Sequence, residues 1–172
     1  MTPTLREQAL VEEATKKSGL IWVQGTGPTR ALWHVWHEGA VLLVGDGPGE
    51  QPLPGLADGS EADVTVRSKD KGGRLVSWTA AVTELAPDSE EWRAAVAELK
   101  GKRLNAPDGE AMVARWGREC RVVRLAPCAV GPELPSGSLA AAPPVTSATT
   151  RGEVPAALHR LLLGRKRKGR RG

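Results

Sequence analysis

The chain has no phenylalanine, no tyrosine and only two cysteines among its 172 residues. Six tryptophans carry all of its aromatic surface. A buried Trp withdraws roughly 150–250 Å² from water, worth on the order of 4–6 kcal/mol at about 25 cal/mol per Å². With 40% hydrophobic residues and so few rings, the chain is expected to use most of its tryptophans as packing centres. Cys120 and Cys128 are too few for a disulfide framework and lack the spacing of a zinc site. They fit a reducing compartment, where a free Cys behaves as a small hydrophobe. No window is long and apolar enough for a membrane span. Met1 to Lys17 is charged throughout, without the apolar stretch of a signal peptide. A cytoplasmic protein with no membrane contact is expected. Also missing are the Gly-x-Ser-x-Gly elbow, the Walker loop and the dinucleotide glycine fingerprint, which disfavours a hydrolase.

The net charge of +4 is unevenly spread. Residues 151–172 hold eight Lys/Arg and one acid, Glu153, while the other 150 residues hold 16 Lys/Arg against 19 Asp/Glu. The body is mildly acidic and only the tail is basic, so electrostatic arguments for nucleic acid apply to the tail alone.

Along the chain, residues 3–17 read as a helix. Thr2 or Thr4 serves as cap, and Leu5, Ala9 and Leu10 form a short apolar stripe. Leu20–Val23 is a strand, Gly25-Thr-Gly-Pro28 a turn, and strands over about 29–37 and 40–45 meet at Glu38-Gly39. Residues 45–60 are rich in Gly and Pro, a long loop of the kind that is functional or mobile. Ala62, Val64 and Val66 alternate with polar residues. After the turn Arg67-Ser-Lys-Asp-Lys-Gly-Gly-Arg74, Val76, Trp78, Ala80 and Val82 face one way, and the small residues Ser77, Thr79, Ala81 and Thr83 the other. That small face suits a closely approaching partner or ligand. A helix opens at Pro87–Trp92, where Asp88 and Glu91 resemble a capping box, and Gly101 closes it. A shorter helix spans Asp108–Trp116 with Gly117 as stop, and a last strand runs from Cys120 to Leu125, ending at Pro127. This order specifies an α+β fold on a mainly antiparallel barrel. The expected organisation is an N-terminal helix (1–17), a barrel domain (18–127), and a Pro/Ala-rich linker with a basic tail (128–172) that is disordered because it cannot bury enough surface to offset its ordering entropy.

His34 and His37 do not predict a metal site, because residues three apart in a strand point to opposite faces. Leu32, His34 and Trp36 share one face and Trp33, Val35 and His37 the other, so one Trp enters the barrel while the other covers an interface or ligand. Arg67, Ser68, Lys69, Lys71 and Arg74 gather cations, a hydroxyl and turn N–H groups that suit a phosphate, with charge-assisted bonds of about 1.5–3 kcal/mol each. The plainer reading is a solvated Lys/Gly-rich turn.

The order of these motifs resembles the pyridoxamine 5'-phosphate oxidase-like, FMN-binding split β-barrel family, in a divergent form of actinobacterial type. The resemblance rests on the Gly27-Pro28 turn before Arg30-Ala-Leu-Trp33, the Trp36-His-Glu-Gly39 hairpin, the paired Val64–Arg67 and Arg74–Trp78 strands, and the helix before a final strand. It spans Ile21 to Pro127. It implies a homodimer with FMN or a deazaflavin between subunits and an oxidoreductase activity on a small molecule. It further implies that Arg30, Arg67, Ser68, Lys69 and Arg74 hold the phosphate, that Trp33 and Trp36 line the ring, and that His34 lies near it, with no catalytic side chain demanded of the protein. Where the family often carries Ser-x-Lys after the third strand, this chain has Gly49-Glu-Gln-Pro-Leu-Pro-Gly55, a loop whose acid, Glu50, is expected to repel a phosphate. That loop favours the alternative of a cofactor-free dimeric binding module. A third expectation attaches to residues 165–171, whose cations suit electrostatic contact with nucleic acid or remain simply solvated.

Overall fold

The computed structural model of the protein describes residues 2–67, 74–103, 108–109 and 111–131. Helix α1 (Leu5–Lys17) precedes six strands: β1 (Leu20–Gln24), β2 (Arg30–Trp33), β3 (Val35–His37), β4 (Ala40–Gly45), β5 (Glu61–Arg67) and β6 (Arg74–Glu84). Helices α2 (Glu90–Lys102) and α3 (Ala111–Glu119) follow, and β7 (Arg121–Val130) returns to the sheet. All strand pairs are antiparallel, in the order β2-β1-β5-β6-β7-β4-β3. The two edge strands, β2 and β3, are consecutive in sequence and separated only by His34. One length of chain therefore leaves the sheet at one edge and rejoins it at the other, which makes a nearly closed barrel. The single strand expected over 29–37 is corrected to this pair.

The interior holds one apolar cluster, with Ile21, Val64, Trp78 and Leu125 among its fully buried members. Trp36 packs edge-on against Trp78, with centroids 6.5 Å apart and an interplanar angle of 85°. A second cluster lies outside the sheet, where α2 and α3 lay Trp92, Val96, Leu99 and Trp116 over Val35, Leu42, Val44 and Val122. Strand β4 is buried on both faces, Val41 and Leu43 facing the interior and Leu42 and Val44 the helices, so its sequence is a continuous apolar run.

Several local expectations change. Thr4 caps α1 in a full capping box with Glu7, yet the buried side of the helix is Val11 and Thr15, while Leu5 and Leu10 are exposed. Helix α2 is capped by Ser89, whose Oγ accepts from the Trp92 N–H at 3.1 Å. Asp88 instead has a positive φ of 65°, leaving it outside the cap geometry. Gly117 does not stop α3, which runs to Glu119; it is where the Trp92 ring passes 3.4 Å from the position a Cβ would take. Strand β7 continues past Pro127 to Val130, the proline lying beside a register shift between Thr79 and Ala80, a place where a missing N–H is tolerated. Residues 128–130, expected to open the linker, belong to β7 instead; residues 132–172, with the rest of the expected linker and the basic tail, lie outside the described residues.

The tryptophans supply a direct check. Trp78→Ala is expected to cost about 3–5 kcal/mol in a urea melt, as for other buried aromatics, whereas Leu5→Ala, at an 87% exposed position, should change stability by less than about 0.5 kcal/mol.

Candidate functional site

The loop over residues 45–60, expected to be functional or mobile, begins after Gly45, the last residue of β4, and is tied down along its length. Arg121 on β7 binds Asp46 at 3.0 Å and Glu84 at 2.8 Å, and it donates to the Leu56 carbonyl. Leu53 and Leu56 turn into the barrel and are buried there. Gly25 and Gly55 pass so close that a Cβ on Gly25 would meet the Gly55 oxygen at 2.1 Å, which restricts both positions to residues without a side chain. The amide of Gln51 bonds both backbone groups of Trp33, accepting from its N–H and donating to its carbonyl at 2.8 Å each. It stands in for a neighbouring strand at the open edge of β2.

Between these ties lies Glu50, whose side chain is fully buried. Its carboxylate meets Arg103 at 3.1 Å and Arg115 at 3.2 Å, and accepts from the Trp116 indole at 2.9 Å. Arg115 also binds Asp108 at 2.6 Å, and this guanidinium holds the Asp108 carboxyl below the usual carboxylate range. The expectation that Glu50 repels a phosphate is corrected: its charge faces inward between two arginines.

On the outer face of the sheet, strand register lines up a second arrangement. Trp33 on β2 stands opposite Leu20 on β1; two residues along, Trp22 stands opposite Thr65 on β5, and Thr65 opposite Ser77 on β6. Directly paired residues project to the same side, so these side chains form one band. Arg103 lies over the Trp33 ring at 5.4 Å and Arg67 over the Trp22 ring at 4.5 Å, distances at which a cation is attracted by the ring face. The Thr65 and Ser77 hydroxyls are 3.2 Å apart. Leu20 and Leu75 on the same face are 52% and 45% exposed. The band offers flat apolar surface, hydroxyls and guanidinium groups together.

The residues singled out from sequence divide between faces. Trp33 and Arg67 belong to the outer band. Trp36 points into the barrel. Arg30 stands opposite Val23, whose side chain is interior, so it is on the other face from Arg67. Arg74 pairs with Arg67 through the backbone; Ser68 and Lys69, and the Arg74 side chain, lie outside the described residues. Trp22, Leu20, Thr65 and Arg103 are the residues sequence reading passed over. The period-2 alternation of Leu20, Trp22 and Gln24 already marks one face of β1, but nothing local to Arg103 places it on Trp33.

His34 is buried where β2 becomes β3, and its Nε2–H donates to the Thr15 carbonyl of α1 at 3.0 Å. Nδ1 is buried without a partner among the described residues. His37 is half-buried, with Glu38 at 3.8 Å and Glu98 at 3.9 Å. Burial pushes the Cys120 thiol up, away from the thiolate a nucleophile needs.

No family model matches the chain, and no curated protein matches it. Among solved structures, HutZ, the heme storage protein from Vibrio cholerae, is 12% identical, with 68% of this chain and 87% of that one covered and a TM-score of 0.49. An F420 reductase is 15% identical over 70% of this chain and 94% of that one, with a TM-score of 0.48. The FAD and heme binding protein from Mycobacterium smegmatis is 16% identical over 92% of this chain and 95% of that one, with a TM-score of 0.44. At these values no ligand passes from them to this chain.

Burial pushes the His34 pKa down, against the hydrogen bond to the Thr15 backbone that raises it. Its folded value thus lies below the unfolded value of about 6.5, and the unfolded chain binds more protons between the two. Stability is full above about pH 6.5 and falls as pH drops through that window, by up to about 1.4 kcal/mol per unit. Urea melts at pH 7.5 and 5.5 should show this loss, and His34→Gln, which keeps a donor for Thr15, should reduce it.

Proposed function

We propose that the chain is a flavin-binding (FMN or deazaflavin) protein of the pyridoxamine 5'-phosphate oxidase superfamily, acting as an oxidoreductase on a small molecule. The observation that carries this reading is the outer band, in which Arg67 lies on Trp22 beside the Thr65–Ser77 hydroxyl pair. These residues fit the group: a ring system needs flat apolar contact with a few polar groups to orient it, and a guanidinium suits a phosphate. The inward charge of Glu50 removes the electrostatic objection that the loop sequence raises.

In this reading Arg67 holds the phosphate, helped by Ser68, Lys69 and Arg74 of the adjoining turn. Trp22 and Trp33 bound the ring on the outer face, and Thr65 and Ser77 orient its polar edge. Arg30, His34 and Trp36, which lie on or toward the other face, are assigned no contact with it. A bound flavin supplies the redox chemistry itself; the chain's residues orient it and exclude water. A second copy covering Leu20 and Leu75 supplies that exclusion, so a homodimer is part of the proposal, as is a cytoplasmic location.

FMN and riboflavin titrations, followed by flavin fluorescence, test it. FMN is expected to bind more tightly than riboflavin, and Arg67→Ala to weaken FMN about ten- to hundredfold, the worth of a charge-assisted bond, with riboflavin little changed. Absence of affinity for FMN, riboflavin and a deazaflavin alike would leave the cofactor-free binding module as the function.

A further inference from the structure

A cavity of about 360 Å³ opens between α2 and the sheet, and it shares no residue with the Trp22–Arg67 band. Its sheet wall is built on one rung of the ladder, where Leu42 on β4 stands opposite Arg124 on β7 and Arg124 opposite Thr83 on β6, and His37 of β3 lines it too. Leu85 extends the apolar part of the wall. Across the gap α2 presents Ala94 and Ala95, which have nothing beyond Cβ to fill the space. The volume falls in the range of small-molecule sites, and the lining sets apolar residues beside His37, Glu38, Thr83, Glu91 and Arg124.

The charges are what select a ligand. Arg103, Arg115 and Arg121 each meet a carboxylate within 3.2 Å. Arg124 has no ion-pair partner among the described residues, although Glu38 and Glu91 line the same cavity. Glu38 stands at the outside, its side chain 81% exposed, and Glu91 is exposed on α2, while Arg124 is half-buried in the wall. An unpaired guanidinium at the wall and carboxylates at the rim, around one apolar surface, complement a molecule carrying both charges.

We infer that this cleft binds a free amino acid with an apolar side chain. The α-carboxylate meets Arg124 and the Thr83 hydroxyl, the α-ammonium meets Glu38 and Glu91, and the side chain lies against Leu42, Leu85 and Ala95. Each ionic contact is charge-assisted, and a ligand of zero net charge satisfies both signs without adding to either.

Calorimetric titration of the full chain with L-leucine, with isopentylamine (leucine without its carboxylate) and with 4-methylpentanoate (leucine without its ammonium) tests this. Leucine is expected to bind at least tenfold more tightly than either analogue. Arg124→Gln should lower leucine affinity at least tenfold while leaving isopentylamine unchanged. Ala94→Trp, a change at an exposed helix position that fills the cleft and keeps both charges, should abolish binding of all three; thermal melts establish that each variant is folded, and Ala94→Trp decides alone if Arg124→Gln is not. Leucine binding no tighter than its analogues, or persisting in Ala94→Trp, would overturn the inference, as would no binding of leucine.

Discussion

The buried carboxylate of Glu50 is the constraint on which the rest of this structure turns. A charge removed from water is tolerated only when paired and hydrogen-bonded, and Glu50 has Arg103, Arg115 and the Trp116 indole around it. Those partners come from the end of α2 and from α3, whereas Glu50 comes from the loop after β4. The ion cluster therefore fastens both outer helices to a loop that also enters the barrel through Leu53 and Leu56. Removing one member of such a cluster typically costs about 3–5 kcal/mol, because the others are left charged and buried. The same cluster positions Arg103 over Trp33, so it reaches the outer band as well.

The neighbouring residue, Gln51, shows why this fastening matters. A nearly closed barrel leaves two strand edges, and exposed backbone groups on an edge are a liability. The Gln51 amide satisfies both groups of Trp33, while its own backbone carbonyl accepts from the Asp46 N–H at 2.9 Å. It can do so only if the loop is held in place on either side, by Glu50 and by the Arg121 contacts.

Much of the fold is legible in the residues. Period-2 alternation marks β5 and β6, a continuous apolar run marks the doubly buried β4, and Trp92, Val96 and Leu99 mark the buried side of α2. The break at His34 is not legible, because Leu32 and Trp36 stay on one face through it and Trp33 and Val35 on the other. Alternation reports the face of a residue and is silent about which strand it pairs with. The division of Trp33 and Trp36 between faces follows from that same alternation; which of the two meets the outer surface depends on how the barrel closes. Glu50 is the opposite case. An acid in a Gly/Pro-rich loop reads as a surface charge, and its partners, Arg103 and Arg115, are more than 50 residues away. Only the tertiary fold reverses its meaning.

Native-state amide hydrogen exchange, compared between the protein and Glu50→Ala, tests most directly whether this carboxylate holds the loop and the open edge together. The account predicts that the Trp33, Asp46 and Leu53 amides, each donating within the loop network, are protected in the parent chain. In the variant they should exchange about a hundredfold faster, with the paired amides of β5 and β6 much less affected. Unchanged protection at those three amides in a folded Glu50→Ala protein would contradict it.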